Sequence, residues 1–227
     1  MIVDLSDPTK VITGTLDAPV LAVLAVTGRP LTVGEVAMRA ARGSEIGIRR
    51  TLARLTAQGI VRATEMGRNR VHELNREHIA APITDLLAGL RLELWKRLRD
   101  AFAGWDPKPL YAAAFGSAAR GDGDNESDID ILLVRAPMAG ESRHAAKGVT
   151  RTIVNSYGLA GAAAMKPVRA EAWNRQVDEL HSRVPAWTGN RLQVVELSVL
   201  DWVDPAGTKP RLLDDIARDS VALFGHR

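Results

Sequence analysis

Two aspartates separated by one isoleucine, Asp128-Ile129-Asp130, lead straight into the apolar run Ile131 to Val134. Such a run reads as a buried strand. Because strand side chains alternate, Asp128 and Asp130 share one face while Ile129 points into the core from the other. Two carboxylates side by side on a rigid strand repel each other unless a cation lies between them. A hard divalent ion such as Mg²⁺, held by one or two carboxylates with positions left for phosphate oxygens, meets that need. Upstream, Leu110 to Phe115 (LYAAAF) is a second apolar strand pattern and ends at Gly116-Ser117. The segment ARGDGDNES between the two patterns reads as a polar turn. Gly116 lets the backbone approach a phosphate closely, and the N–H and hydroxyl of Ser117 can donate to it.

The segment from Gly116 to Val134, GSAARGDGDNESDIDILLV, resembles the DNA polymerase β-like nucleotidyltransferase superfamily, and within it the minimal nucleotidyltransferases. Gly116, Ser117, Ala119, Arg120, Gly121, Ser127, Asp128 and Asp130 carry the resemblance, in identity and in spacing. It implies a mixed β-sheet flanked by helices and the transfer of a nucleoside monophosphate from an NTP, ATP foremost. It also implies two Mg²⁺ ions on Asp128, Asp130 and a third carboxylate from a later strand, with Gly116, Ser117, Arg120 and Ser127 at the nucleotide. The strand pattern RLQVVELSV, after a helix with Trp173, Val177, Leu180 and Val184, offers Glu196 as the third acid, catalytic and metal-binding. Glu stands there where the family more commonly has Asp. Asp201 and Asp204 are its rivals beyond the strand. The closing segment LLDDIARDSVALFGHR reads as an amphipathic helix with Leu212, Ile216 and Val221 or Leu223 inward, and Lys209 and Arg211 before it read as surface bases. The five histidines are scattered without ligand spacing.

The positive charge of the chain is concentrated early. Nine arginines face three glutamates between Arg39 and Arg76, whereas the whole chain carries a net charge of +3. The same region shows a helix over Ala18 to Val26 capped by Asp17, then the capping-box pattern Thr32 to Glu35 opening a helix from Val33 to about Ala40. A third helix, from about Glu45 to Gln58 with Ser44 as N-cap, presents Ile48, Leu52 and Leu55 as its core stripe. The runs GIVRATE and RVHELN, joined at Met66-Gly67-Arg68-Asn69, then read as a β-hairpin. Helix, helix, helix and hairpin resemble the winged helix-turn-helix of MarR-like and ArsR-like regulators. That resemblance implies binding to double-stranded DNA, with Ser44, Arg49, Arg50 and Arg54 on the third helix and Arg68 and Arg70 on the wing. It also implies pairing as a homodimer. A long amphipathic helical pattern over Pro82 to Trp105 follows, and Pro137 to Ser142 is the most loop-like stretch of the second half.

The expected fold class is therefore α/β (α+β). Residues 1–80 form a winged helix-turn-helix, 81–107 a connecting helix and 108–227 a nucleotidyltransferase domain. The absence of cysteine excludes disulfides and cysteine-ligated metal centres, and fits a cytoplasmic location. The N-terminal MIVDLSDPTK lacks the basic and apolar regions of a secretory signal, and stretches such as APVLAVLAV are too short to span a membrane, so no membrane partner is expected. The combination implies a protein or tRNA acceptor in a regulatory or toxin–antitoxin setting. A nucleotide-sensing regulator and an aminoglycoside-type small-molecule transferase are the alternatives.

Overall fold

The structure is a computed structural model describing residues 3–121, 127–138, 168–199, 216 and 218–225. Two compact units emerge, one of Val3–Glu93 and one from Leu94 onward. Helices and mixed sheets make the fold class α/β. Among the described residues no helix is long and apolar enough to cross a membrane.

In the first unit, α1 (Asp17–Val26), α2 (Val33–Arg39) and α3 (Glu45–Ala57) are followed by the hairpin of β2 (Val61–Met66) and β3 (Asn69–Leu74). The short β1 (Leu31–Thr32) pairs with β3, giving the order β1-β3-β2. The capping box forms as its sequence dictates. Thr32 Oγ1 accepts from the Glu35 N–H at 3.3 Å, and Glu35 Oε2 accepts from the Thr32 N–H at 2.9 Å. The Arg29 guanidinium beside it, with those capping bonds, lowers the Glu35 carboxyl to about 2. Ile48, Leu52 and Leu55 of α3 are buried against Val20, Leu24, Leu31 and Val36. The hairpin turns through Gly67, whose φ of 64° suits the first central position of a two-residue turn.

Asp17 does not cap α1. The N-cap is Leu16, without a side-chain bond, and Asp17 lies in the first turn, where it forms an ion pair with Arg54 of α3. An acid in the first turn is favoured by the exposed N–H groups there, so Asp17 still serves α1. Arg42 ties down the chain ahead of α1 by donating to the carbonyls of Thr13, Gly14 and Thr15 while pairing with Asp7 at 2.6 Å.

The second unit is built on four strands, β4 (Tyr111–Phe115), β5 (Ile129–Arg135), β6 (Leu192–Ser198) and β7 (Val221–Phe224), in the order β6-β5-β4-β7. β5 and β6 are parallel, and the other two pairs are antiparallel. A parallel pair needs a crossover, and α6 (Ala170–Thr188) lies in it. The long helix α4 spans Ala81–Gly104, and the short α5 (Gly116–Arg120) follows β4. One sheet face carries Tyr111, Ala113, Phe115, Leu132 and Val134, packed with Val199 and Ile216. On the other side Trp173 of α6 is fully buried and meets Trp105 edge to face at 5.3 Å, and Trp105 meets Phe102 of α4 at 5.2 Å.

Residues Val221–Phe224 were expected in a helix and are a strand instead. All five residues of β4 are buried, and its outer edge would leave backbone groups unpaired without β7. Four residues rich in branched and aromatic side chains are enough to close that edge, and an amphipathic helix could not. Leu212, Lys209 and Arg211, and 139–142 of the loop-like stretch, lie outside the described residues.

The capping box gives a direct test. Thr32→Ala removes the acceptor for the Glu35 N–H and should cost about 1 kcal/mol in urea unfolding.

Candidate active site

β4 ends at Phe115, in register with Asp130 of β5, and there the chain turns into α5. The turn passes through Gly116 at φ 70°, a backbone conformation that favours glycine. A Cβ at this position would overlap Asp130 Oδ2. Gly116 is therefore required both for the turn and for the space occupied by the carboxylate. Ser117 and Ala118 open α5, with Ala118 buried and Ser117 half-buried, and Arg120 ends it in solvent.

Asp128 and Asp130 flank the fully buried Ile129. Burial first, and the Asp128 charge second, push the Asp130 carboxyl above its ordinary value, while Arg120 acts against them. Two carboxylates therefore share one face and feel each other. From the neighbouring β6, Gln193 is in register with Asp130, and its Nε2 donates to Asp128 Oδ2 at 3.0 Å. Behind this trio, Ser127 is fixed through its carbonyl, which accepts from Asn190 Nδ2 at 3.0 Å. Asn190 is buried at 2% exposure, and its N–H bonds Thr188 Oγ1 at the end of α6.

Glu196 does not complete the set. It is in register with Leu133, one residue out of phase with Asp130, so it projects from the opposite face of the sheet. It also lies three residues beyond Gln193, about 10 Å along the strand. Its two oxygens are taken there by Arg135 Nε at 2.6 Å and Trp173 Nε1 at 2.8 Å. An acid in an apolar strand is here the counter-ion of a buried arginine. The positions of β6 that share the aspartates' face are Gln193, Val195 and Leu197. Asp201, Asp204 and 122–126 of the polar turn lie outside the described residues. Among the described residues no three His, Cys, Asp or Glu side chains gather into a metal site.

The donor set that does gather, two coupled carboxylates with a neutral amide, suits one hard divalent cation that takes its other oxygens from water and phosphate. Gln193 and Asn190 escaped the sequence reading. The phase of β6 against β5 would have singled out Gln193, whereas the Asn190 bond to a carbonyl leaves no sequence pattern.

In the first unit, the Ser44 hydroxyl caps α3 by accepting from the Gly47 N–H at 3.2 Å. Arg49 pairs with Glu45 at 2.9 Å, and Arg70 lies 4.0 Å from Glu65, both in solvent. Arg50 and Arg68 are exposed and form no ion pair among the described residues. Arg54 is turned onto Asp17 and reaches Gln58 at 3.2 Å, so it joins α3 to α1.

Three outcomes follow from this geometry. Glu196→Ala strips both Arg135 and Trp173 of their partner and should cost about 1–2 kcal/mol in urea unfolding, the lower range reflecting a partly exposed carboxylate. Gly116→Ala should displace Asp130 and weaken divalent-cation binding, measured by the cation-induced rise in Tm. Because the folded state raises the Asp130 carboxyl, it favours the protonated form; that favourable contribution is full at low pH and is lost as pH rises through the folded value. Asp130→Asn should accordingly raise Tm at neutral pH in chelator, with the difference shrinking as the pH falls into the ordinary carboxylate range.

Residues 93–161 match the family model described as a nucleotidyltransferase domain. The match takes in β4, α5 and β5, with Gly116, Ser117, Asp128 and Asp130, and ends before β6. No curated protein matches the chain. The segment that brings the two aspartates and the glycine turn together is thus, by sequence, similar to a nucleotidyltransferase domain.

Proposed function

We propose that the second unit transfers a nucleoside monophosphate from an NTP to an acceptor at the Gly116–Asp130 site. The carrying observation is the pair Asp128 and Asp130 on one face, with Gly116 packed against Asp130, inside the matched segment. When Mg²⁺ is bound, it supplies charge neutralisation for the triphosphate and for the departing pyrophosphate. Asp128 and Asp130 are the residues to hold it. Gly116 admits the phosphates to the backbone, and Ser117 offers a donor to them. Arg120, close enough to act on the Asp130 charge, is suited to a phosphate oxygen as well. The rate gain then comes from positioning and electrostatics, as in phosphoryl transfer generally.

The first unit is proposed to be a winged helix-turn-helix that binds double-stranded DNA. Three helices and a hairpin with exposed Arg50 and Arg68 support this reading, and the solvent pairs of Arg49 and Arg70 are weak enough to exchange for phosphate. Arg54 is better assigned to the α1–α3 contact than to DNA. A DNA-binding unit joined to a transferase suits a regulatory or toxin–antitoxin role with a protein or tRNA acceptor.

One observation favours a second reading. The β6 residue facing the aspartates is Gln193, and Glu196 is occupied behind the sheet, so among the described residues no carboxylate besides Asp128 and Asp130 is placed to deprotonate an acceptor hydroxyl. A regulator that binds nucleotide without transferring it fits that arrangement. Incubation with Mg²⁺ and each labelled NTP, offering the chain itself, lysate proteins and tRNA as acceptors, separates the two. Label transfer lost in Asp128→Ala/Asp130→Ala establishes transfer, whereas saturable NTP binding without transfer leaves the sensor. For DNA, Arg50→Ala and Arg68→Ala should each weaken binding evenly across sequences and reduce the salt slope by about one.

A further inference from the structure

We propose that Gln193 is a positioning residue that fixes Asp128 for cation binding, an assignment that rests on the cation-binding reading of the Asp128–Asp130 pair. The two aspartates are held by different means. Asp130 stands within the β5 ladder and against the backbone of Gly116. Asp128 precedes the strand, and the one hydrogen bond described for its carboxylate comes from Gln193. An ionised carboxylate only accepts hydrogen bonds, so the amide must present its NH₂ end, which fixes the orientation of both side chains. This bond is solvent-exposed, so it answers no need of the core.

The residue type also matters. Gln193 is in register with Asp130 and reaches across to Asp128, so any charge on the side chain at this position would act directly on the pair. A lysine or arginine there would neutralise Asp128 and compete with any cation. A glutamate would add a third negative charge, and without a cation to bind it would repel Asp128. A neutral donor takes one lone pair of Oδ2, leaves the rest of the carboxylate open to a metal and preserves both negative charges. Partners that orient metal-binding carboxylates in this way typically change affinity by one to two orders of magnitude when removed.

The test uses the full chain and Mn²⁺ as the probe, with free Mn²⁺ followed by electron paramagnetic resonance and Tm recorded in chelator and in Mn²⁺. Gln193→Ala should keep the Tm of the wild type in chelator and bind Mn²⁺ about tenfold more weakly. Gln193→Lys should lose Mn²⁺ binding. Gln193→Glu should melt lower than wild type in chelator and gain more from Mn²⁺ than the wild type does. A purely structural role would instead lower Tm equally with and without Mn²⁺, and that result overturns the proposal. Wild-type Mn²⁺ affinity in Gln193→Ala overturns it too, leaving the cation reading intact. A folded wild-type chain that binds no Mn²⁺ overturns both.

Discussion

The Asp130 carboxylate rests against the backbone of Gly116, and the second unit is arranged around that approach. It holds only because β4 and β5 are antiparallel neighbours in the register that sets Phe115 opposite Asp130. The same register sends the chain out of β4 through a positive φ and into α5, so Ser117 and Arg120 follow at once. Burial and the neighbouring Asp128 make the charge on Asp130 unfavourable. Keeping two such groups together costs stability, a cost that the proposed cation site would explain.

The opposite face of the sheet works the other way. Arg135, Glu196 and Trp173 form a satisfied cluster there, continuous with the edge-to-face contacts of Trp105 and Phe102. This cluster joins β5, β6 and α6. At the far end of α6, Thr188 accepts from the Asn190 N–H, and the Asn190 amide donates to the Ser127 carbonyl. Asn190 thus holds the backbone that precedes Asp128, while the charged groups behind the sheet stay away from the site.

Local patterns were legible in the sequence, and relations between distant strands were not. The Thr32–Glu35 box and the Ile48, Leu52 and Leu55 stripe gave the helices of the first unit nearly to the residue, since capping and periodicity are short-range. The shared face of Asp128 and Asp130 was likewise fixed by alternation alone. Glu196 was misread because alternation within β6 says nothing about its phase against β5, and only the register reveals that phase. Val221–Phe224 was misread because its state depends on the open edge of β4. The ion pair of Arg54 was not legible because its partner Asp17 belongs to another helix.

The phase of β6 also restricts how such a site can change. Gln193 and Glu196 lie three positions apart, an odd step, so no single acid on this strand can face the aspartates and neutralise Arg135 as well. Sliding β6 by one residue would exchange the two roles together, bringing a carboxylate towards the site while stranding a guanidinium in the core. In this chain an acid can therefore be brought beside the two aspartates by point substitution on the front of the strand. A one-residue insertion or deletion in β6 would instead undo the anchoring behind the sheet in the same step.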